Sequence, residues 1–457
     1  MAGISLQLQK MVKNKSITSL GKAYGYAALL SSGPWVSSII AILIIGFFSA
    51  SQSDTQTSTV PYQLIITYAF AFASSIMLTG LIQLPFTRYI ADKIYEKRED
   101  LVLPSYIGAL VVTTILGLLW IVPLAFYVFE DVSTLYIIIV IYIFITMTWI
   151  WLANIIASSL KFYKEIFYAH LFIYAIMVGF SYFYGGNAVS LLNIFLVGNL
   201  LLFSILSSFI IFSYPSDKLI SFDFFNFKNF YWFLAFSGFF YSLAVWVDKF
   251  IFWYHPLTGT SVLGKLNSSV VYDIPIFLAY LTIVPGIAVF FFRLEAYFSQ
   301  KYDLFFDAVK NGGRLKTITG YKNDMMGVVR QSIREVLYIQ TIITIIIYIY
   351  TPDIFEFLNI PQLYTTLFHI DMVGAQLQLG FMSVLALLYY LDKRRATMWL
   401  SLLFLVLNFS FTLLSIYLGP QFFGYGYAIS LLIVFTISLW VINKTLQDIE
   451  YETFLLR

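Results

Sequence analysis

Five ionisable side chains lie inside long apolar stretches of this 457-residue chain, where charged groups are rare. They are Asp248, Lys249, Asp273, His369 and Asp371. A charge at the centre of a bilayer costs roughly 2.5–3.5 kcal/mol on insertion scales, so such groups usually pair or line an aqueous cavity. The five residues are therefore candidates for proton or cation coupling, or for a structural ion pair beside an outer vestibule.

Each of the three carboxylates has a polar residue seven positions away in the sequence. Seven residues make about two helical turns, so each carboxylate and its polar companion share one face of a helix. We interpret these faces as the lining of a substrate pathway. The companions are Tyr241, Tyr280 and Gln378.

Lys249 is predicted to pair across helices. Adjacent residues on a helix do not face each other, so Asp248 is the disfavoured partner. Asp273 and Asp371 are the candidates for that ion pair.

Helix-breaking residues interrupt two of the apolar stretches. Pro34 and Pro285 have no N–H, and each leaves a helical carbonyl without its donor. Such breaks are tolerated where the backbone is buried in protein or faces water. They indicate either tight packing through Gly and Ser or bendable helices that gate a pathway. The residues of this prediction are Tyr24, Ser31, Ser32, Gly33, Pro34 and Ser38 in the first stretch, and Pro285 and Gly286 in another.

The elements that must hold these residues are transmembrane helices. The chain is 60% hydrophobic and 11% charged, with a mean hydropathy of +0.83, whereas soluble domains are roughly 25% charged. Runs of about 20 apolar residues can cross the hydrocarbon, and the sequence contains twelve such runs. We predict an all-α polytopic membrane protein with spans over residues 22–48, 62–87, 102–128, 133–158, 163–185, 190–213, 229–254, 270–297, 330–351, 365–391, 396–418 and 423–443.

The basic residues orient these spans. Twelve crossings place all but two of the 27 Lys and Arg residues on one side, the exceptions being Lys249 and Lys265. Cytoplasmic loops carry such an excess. We therefore predict that both termini are cytoplasmic, and the five ionisable residues then lie in the outer third of the membrane.

The even number of spans predicts two six-helix bundles, residues 1–213 and 229–457, joined by a cytoplasmic connector over 214–228. The second bundle contains a cytoplasmic amphipathic loop over 300–329, which reads as two short helices broken at Asn311-Gly312-Gly313. This loop would lie in the headgroup interface or form a docking platform for a cytoplasmic partner.

Several function classes are disfavoured by what the sequence lacks. The absence of cysteine excludes disulfides and thiolate metal sites, and no P-loop is present. The three histidines form no metal-ligand pair. We predict no enzyme activity, catalytic residue, metal, cofactor or nucleic-acid partner. The alternative enzyme is a multi-span acyltransferase with His170 or His369 as the base.

Two segments resemble a known family. The start "MAGISLQLQK" followed by "AYGYAALLSSGPWV", and the later "FFFRLEAYFSQKYDLFFDAVKNGGRL", are similar to the PelG family of the multidrug/oligosaccharidyl-lipid/polysaccharide flippase superfamily. The resemblance implies a MATE-like fold with two bundles around a central cavity. It also implies export of Pel polysaccharide, rich in N-acetylgalactosamine, in biofilm formation. The implied partners are a cytoplasmic glycosyltransferase and membrane proteins that include a cyclic di-GMP receptor.

The predicted function is transport of a Pel-type exopolysaccharide across the cytoplasmic (inner) membrane, coupled to its synthesis. The alternative is a proton- or cation-coupled transporter of drugs or lipid-linked oligosaccharides with the same fold. In that alternative the acidic residues form the coupling site.

Overall fold

The predicted all-α polytopic fold is confirmed by a computed structural model, which describes residues 17–51, 60–160, 162–185, 187–226 and 230–455. Every predicted span overlaps a helix in this part of the chain. Eleven of the described helices are long and apolar enough to cross a membrane, and the count reaches twelve when the bent first helix is included. The N-terminal motif "MAGISLQLQK" lies outside the described residues.

The first helix, α1 (Ile17–Ser51), changes direction at the predicted break. Its axis bends by 59° between Gly21–Pro34 and Val36–Ile45. The missing N–H of Pro34 explains why the bend falls here. The boundary between two compact units of the chain also falls inside α1, between Ser32 and Gly33.

The first compact unit, unit N, covers Gly33–Val270. Beyond its part of α1 it contains a short antiparallel hairpin, β1 (Thr260–Leu263) and β2 (Leu266–Ser268), which the sequence analysis did not predict. Its further helices are α2 (Val60–Tyr95), α3 (Val102–Val128), α4 (Thr134–Ser159), α5 (Tyr163–Tyr184), α6 (Ala188–Ser213) and α7 (Trp232–Tyr254).

Helix α2 is the centre of unit N, packing against α3, α4 and α7. The backbones of α2 and α7 touch where Gly80 meets Gly238: a Cβ on Gly238 would lie 2.3 Å from the carbonyl oxygen of Gly80. Small residues permit such close crossings in membranes. The sequence analysis assigned α7 to the second bundle, whereas its closest packing is within unit N.

The connector and the β1–β2 hairpin each contact helices of unit N. On the described part of the connector, the Ser221 N–H donates to the Pro104 carbonyl (3.0 Å), and the Phe224 ring packs on Phe86. At the other end, the hairpin residue Lys265 donates its backbone N–H to Val128, the last residue of α3 (2.7 Å). The connector and the hairpin therefore complete the helix bundle of this unit.

The second compact unit, unit C, covers Met1–Ser32 and Val271–Arg457. These bounds differ from those of the predicted bundles, whose division stays a prediction. The helices that follow α7 are α8 (Val270–Thr282), α9 (Val284–Arg293), α10 (Ser299–Lys310), α11 (Leu315–Phe357), α12 (Thr365–Tyr390), α13 (Arg394–Leu418) and α14 (Tyr425–Leu455), with a π-helical turn at Leu294–Phe298.

Helix α12 packs against α11, α13 and α14 in unit C, around a core that includes Phe355, Phe368 and Met372. The helices extending from this core are joined by polar contacts: Lys301 of α10 pairs with Asp324 of α11 (2.7 Å), and Lys322 of α11 pairs with Glu450 of α14 (3.2 Å).

The predicted break in the amphipathic loop is present, since α10 ends at Lys310 and Gly312 has a φ of +66°, which suits glycine. The second short helix of that prediction is instead the start of the 43-residue helix α11, which continues without interruption into the ninth span. Helical periodicity runs through both parts, so the sequence showed no stop signal between them.

Candidate functional site

The serines around Pro34 bond to their own helix. Ser31 donates its hydroxyl to the Ala27 carbonyl (2.7 Å), and Ser32 donates to Ala28 (2.8 Å). Such i−4 bonds commonly accompany helix bending. Gly33 packs on Phe167 of α5, since a Cβ at position 33 would lie 2.4 Å from that ring. Gly33 is therefore tightly packed within unit N.

The predicted stripe on α1 is divided between the units. Tyr24 lies in unit C, where its ring packs edge-on against Phe292 of α9, with 5.1 Å between centroids. Ser38 lies in unit N and faces the hydroxyl of Tyr174 on α5.

Unit N also contains a buried polar cluster that the sequence analysis missed. The hydroxyls of Tyr68 and Tyr174 face each other, and Asn199 of α6 lies beside Tyr68. On the same face of α5, His170 donates from Nδ1 to the Ile166 carbonyl (2.8 Å), since a carbonyl can only accept. Asn199, one of two asparagines in the predicted sixth span, was the signal that could have identified this cluster.

Lys249 pairs with Asp248, the partner that the sequence analysis disfavoured. Its Nζ lies 2.9 and 3.1 Å from the two carboxylate oxygens of Asp248, and it also donates to the Val245 carbonyl (2.8 Å). The long lysine side chain folds back along α7, so neighbouring positions can pair although their Cβ atoms diverge. Asp248 is 0% exposed and Lys249 is 5% exposed, which makes this a buried ion pair. Tyr241 lies half-buried on the same helix, two turns earlier.

The other two carboxylates have different surroundings. Asp273 is partly exposed in the first turn of α8, where the helix dipole favours a negative charge. Asp371 of α12 is 0% exposed and lies beside Gly424, the residue before α14 begins. A carboxylate near a helix N-terminus is electrostatically stabilised there.

Two of the predicted pathway residues are brought together in unit C by a residue that was not predicted. Tyr427 of α14 donates its hydroxyl to the side-chain oxygen of Gln378. Its ring also packs edge-on against Tyr280 of α8, with centroids 6.4 Å apart. Three helices thus contribute to one cluster of two tyrosines and an amide, which we call the Tyr–Gln cluster.

His369 bonds to α11. Thr351 donates its hydroxyl hydrogen to Ile347, so His369 must donate from Nε2 to the Thr351 oxygen (3.1 Å). The imidazole also packs on the Tyr348 ring, with ring centroids 4.0 Å apart and ring planes tilted by 35°. These contacts hold His369 between α11 and α12.

The predicted break at Pro285-Gly286 separates α8 from α9. The Thr282 carbonyl accepts a hydrogen bond from Nε2 of Gln340 on α11 (3.1 Å), and Gln340 is 0% exposed. A Cβ at Gly286 would lie 2.6 Å from the Gln340 side-chain oxygen and 2.3 Å from Leu379. The break between α8 and α9 is thus hydrogen-bonded to α11. The missing side chain of Gly286 leaves room for the Gln340 amide that makes this bond.

Replacing Gln340 with methionine should lower the free energy of unfolding by about 1–3 kcal/mol, because the buried Thr282 carbonyl loses its side-chain donor. Thermal unfolding of the purified protein in detergent measures the effect. The matched control is Gln331→Met, at an exposed position of the same helix, which should change the stability by less than about 0.5 kcal/mol. Equal melting of both variants would contradict the assigned role.

A family model described as "PelG: Putative exopolysaccharide Exporter (EPS-E)" matches residues 1–454. No sequence match was found among curated proteins.

Solved structures of low sequence identity share the fold. An outward-facing multidrug resistance MATE family transporter of the MOP superfamily aligns with a TM-score of 0.65 and 11% identity, covering 93% of this chain and 95% of that one. A MOP superfamily transporter from Pyrococcus furiosus aligns with a TM-score of 0.62 and 11% identity, covering 94% and 96%. An inward-facing MATE transporter gives a TM-score of 0.60 and 12% identity, covering 92% and 99%.

Proposed function

Because the chain belongs to the PelG family of exopolysaccharide exporters, we propose that it moves a Pel-type polysaccharide, rich in N-acetylgalactosamine, outward across the cytoplasmic membrane. The observation that carries this proposal is the family match over residues 1–454 together with the MATE transporter fold. Family and fold are those of transporters.

The residue types of the Tyr–Gln cluster suit a sugar substrate, and since Tyr427 is 1% exposed and Gln378 is 8% exposed, contact with a sugar requires these helices to separate. Tyrosine rings offer a flat apolar surface with a polar tip, and an amide supplies both a donor and an acceptor. Such a combination suits the apolar faces and hydroxyl groups of a sugar ring. Tyr280, Gln378 and Tyr427 are accordingly proposed to line the polymer's path in unit C. Tyr241 of α7 is proposed separately as a pathway residue of unit N.

Gating is assigned to the two helix breaks. The 59° bend of α1 and the interruption between α8 and α9 lie in different compact units, and each is a point where a helix lacks its regular hydrogen bonds. In this proposal both helices bend as access alternates between the two sides. Tyr24, Ser31, Ser32 and Ser38 then move with α1.

Synthesis and export are proposed to be coupled through a cytoplasmic glycosyltransferase and a membrane receptor for cyclic di-GMP. The exposed turn between α10 and α11 supports a partner contact on the side that carries most of the Lys and Arg residues, because it holds Lys310, Arg314 and Lys316. In this arrangement both termini are cytoplasmic.

The test of this proposal is deletion of the gene in its native host. Loss of the protein should stop polymer secretion while the cytoplasmic glycosyltransferase remains active on its sugar nucleotide. The same transferase should co-purify with the protein from native membranes. Continued secretion after deletion would refute the proposal, and acyl transfer by the purified chain would establish an enzyme instead.

A second candidate is proton- or cation-coupled transport of a drug or a lipid-linked oligosaccharide. Full burial of Asp371 favours it, since an acidic group in such a place suits an ion or proton site. Asp273 and His369, which also lie in unit C, would assist in coupling, and Asp248 and Lys249 are separate coupling candidates in unit N.

Asp371→Asn separates the two candidates. If Asp371 is the coupling group, the change should abolish secretion at normal protein levels, whereas an exporter driven by polymer synthesis should retain most of its secretion. Asp353→Asn, on an exposed part of α11, is the matched control and should secrete normally. Secreted polymer and membrane protein level are measured together.

Because the chain contains no cysteine, single-cysteine variants report water access directly. Replacing Ser31 or Asp371 with cysteine should give labelling by an aqueous thiol reagent in at least one state of the transport cycle. Protection of both positions in every state would rule out the proposed path.

A further inference from the structure

A groove of about 700 Å³ runs between α5 and α6 on the surface of unit N. Its lining is almost wholly apolar, and Glu165 is the charged residue within it. The groove is open along the surface, so it would cover one side of a bound chain and leave the other side exposed. Residues that line it include Glu165, Tyr168, Phe172, Ala175, Ile205 and Phe209.

The groove opens toward lipid. Tyr168 and Phe172 are each 63% exposed on its rim, and both belong to a helix long and apolar enough to cross a membrane. Large exposed apolar side chains on such a helix face the bilayer. The groove is therefore continuous with the lipid-facing surface of the protein.

The length of the groove matches one leaflet. Glu165 lies in the first turn of α5, and Ala175 lies ten residues further along the same helix. At a rise of 1.5 Å per residue this is about 15 Å, which is half of the roughly 30 Å hydrocarbon core. A lipid tail that enters beside Glu165 would therefore end near the middle of the bilayer.

A negative charge marks the mouth of the groove, because Glu165 lines it. Lys164 and Glu165 are adjacent and both exposed where α5 begins. A zwitterionic headgroup with an amine and a phosphate complements this pair, whereas an anionic headgroup without an amine would be repelled by Glu165. We propose that the α5–α6 groove binds an acyl chain of an aminophospholipid, whose ammonium group pairs with Glu165 and whose phosphate lies near Lys164.

A partner's transmembrane helix fits the groove less well. A spanning helix crosses both leaflets, whereas the groove lining ends about 15 Å from its mouth. The inference is independent of the transported substrate, since the groove lies within unit N and involves neither the helix breaks nor the Tyr–Gln cluster.

The test is native mass spectrometry of the purified, delipidated full-length protein, to which phosphatidylethanolamine and phosphatidylglycerol are added in equal amounts. We expect one tightly held phosphatidylethanolamine per chain. Glu165→Gln should reduce the preference for phosphatidylethanolamine over phosphatidylglycerol about three-fold, the size typical of an exposed ion pair. Ala175→Phe should fill the groove and abolish this binding.

The matched control is Val197→Phe, at an exposed position of α6 outside the groove, which should bind lipid as the unchanged protein does. Equal retention by Ala175→Phe and Val197→Phe would overturn the site. An unchanged headgroup preference in Glu165→Gln would overturn the assignment of the aminophospholipid.

A photoreactive amino acid at Phe172 provides a measurement that depends on neither variant. Because this side chain is largely exposed, its replacement leaves the core intact. We expect crosslinking in native membranes to add the mass of a phospholipid. A crosslink to another protein in place of lipid would show that the groove is a helix-docking surface and would overturn the proposal.

Discussion

Replacing Lys249 with methionine is expected to destabilise the protein by about 3–5 kcal/mol, because the fully buried carboxylate of Asp248 would lose its cation. Loss of one partner of a buried pair leaves an uncompensated charge, which costs far more than the intact pair contributes. The measurement is the melting temperature of the purified protein, together with the fraction that remains monodisperse after detergent extraction.

Two further variants test this explanation. The double variant Asp248→Leu with Lys249→Met removes both charges and should recover most of the lost stability. Lys265→Met removes a cation from an exposed pair with Glu130, and should change the melting temperature little. If the double variant is as unstable as Lys249→Met alone, the pair is not the cause of the loss.

The double variant also bears on transport. Should it fold and still secrete polymer, the Asp248–Lys249 pair serves structure alone and coupling must lie elsewhere. Should it fold at normal levels without secreting, the pair takes part in the transport cycle. The protein level and the polymer secretion of this double variant therefore distinguish an effect on folding from an effect on transport.

Gly238→Val is expected to have the second large effect, separating α2 from α7 and costing about 3 kcal/mol. A side chain at position 238 would meet the backbone of Gly80 at 2.3 Å, and backbone atoms cannot move aside as a flexible side chain does. Gly80→Val should act in the same way, since a Cβ there would lie 2.8 Å from the Gly238 carbonyl oxygen. Thermal melting and protease resistance of the purified variants measure the loss.

Gly179→Val is the matched control for this prediction. It lies in the transmembrane helix α5, and apart from the nearby backbone of that helix no heavy atom lies within 4 Å of the position its Cβ would take. The same substitution should therefore be tolerated there. If all three variants melt alike, the cost comes from replacing glycine in general and not from the crossing of α2 and α7.

The spans were predictable from sequence because the bilayer imposes one simple rule. Each run of about 20 apolar residues had to become a helix that satisfies its own backbone hydrogen bonds, and each did so within the described residues. The breaks at Pro34 and Pro285 were predictable only in part. Proline removes a donor wherever it stands, yet Pro85 and Pro123 lie inside helices that continue without a break.

Partners of individual side chains were not predictable by such rules. Lys249 pairs with its neighbour because a flexible four-carbon chain can turn back along the helix, which a rule based on Cβ directions does not capture. The Gln340 bond to Thr282 joins residues 58 positions apart. The sequence marks Gln340 as polar but gives no sign of the helix it meets.

Helix packing and short strands were also beyond the sequence. Gly80 and Gly238 are two of 25 glycines, and only the crossing of their helices distinguishes them from the rest. The β1–β2 hairpin has strands of four and three residues, too short for an alternating pattern to be visible. Predicting these features requires knowing which helices are neighbours.

Helix α11 has a mechanical consequence. Its 43 residues make a rod about 65 Å long, roughly twice the thickness of the hydrocarbon core. One part of the rod holds the Lys322–Glu450 ion pair, and some 27 Å further along stands Gln340, which bonds the interruption between α8 and α9. A stiff helix transmits displacement along its axis with little loss. A protein that moved the end of α11 near Lys322 would therefore also move Gln340, and with it the interruption between α8 and α9, without entering the membrane.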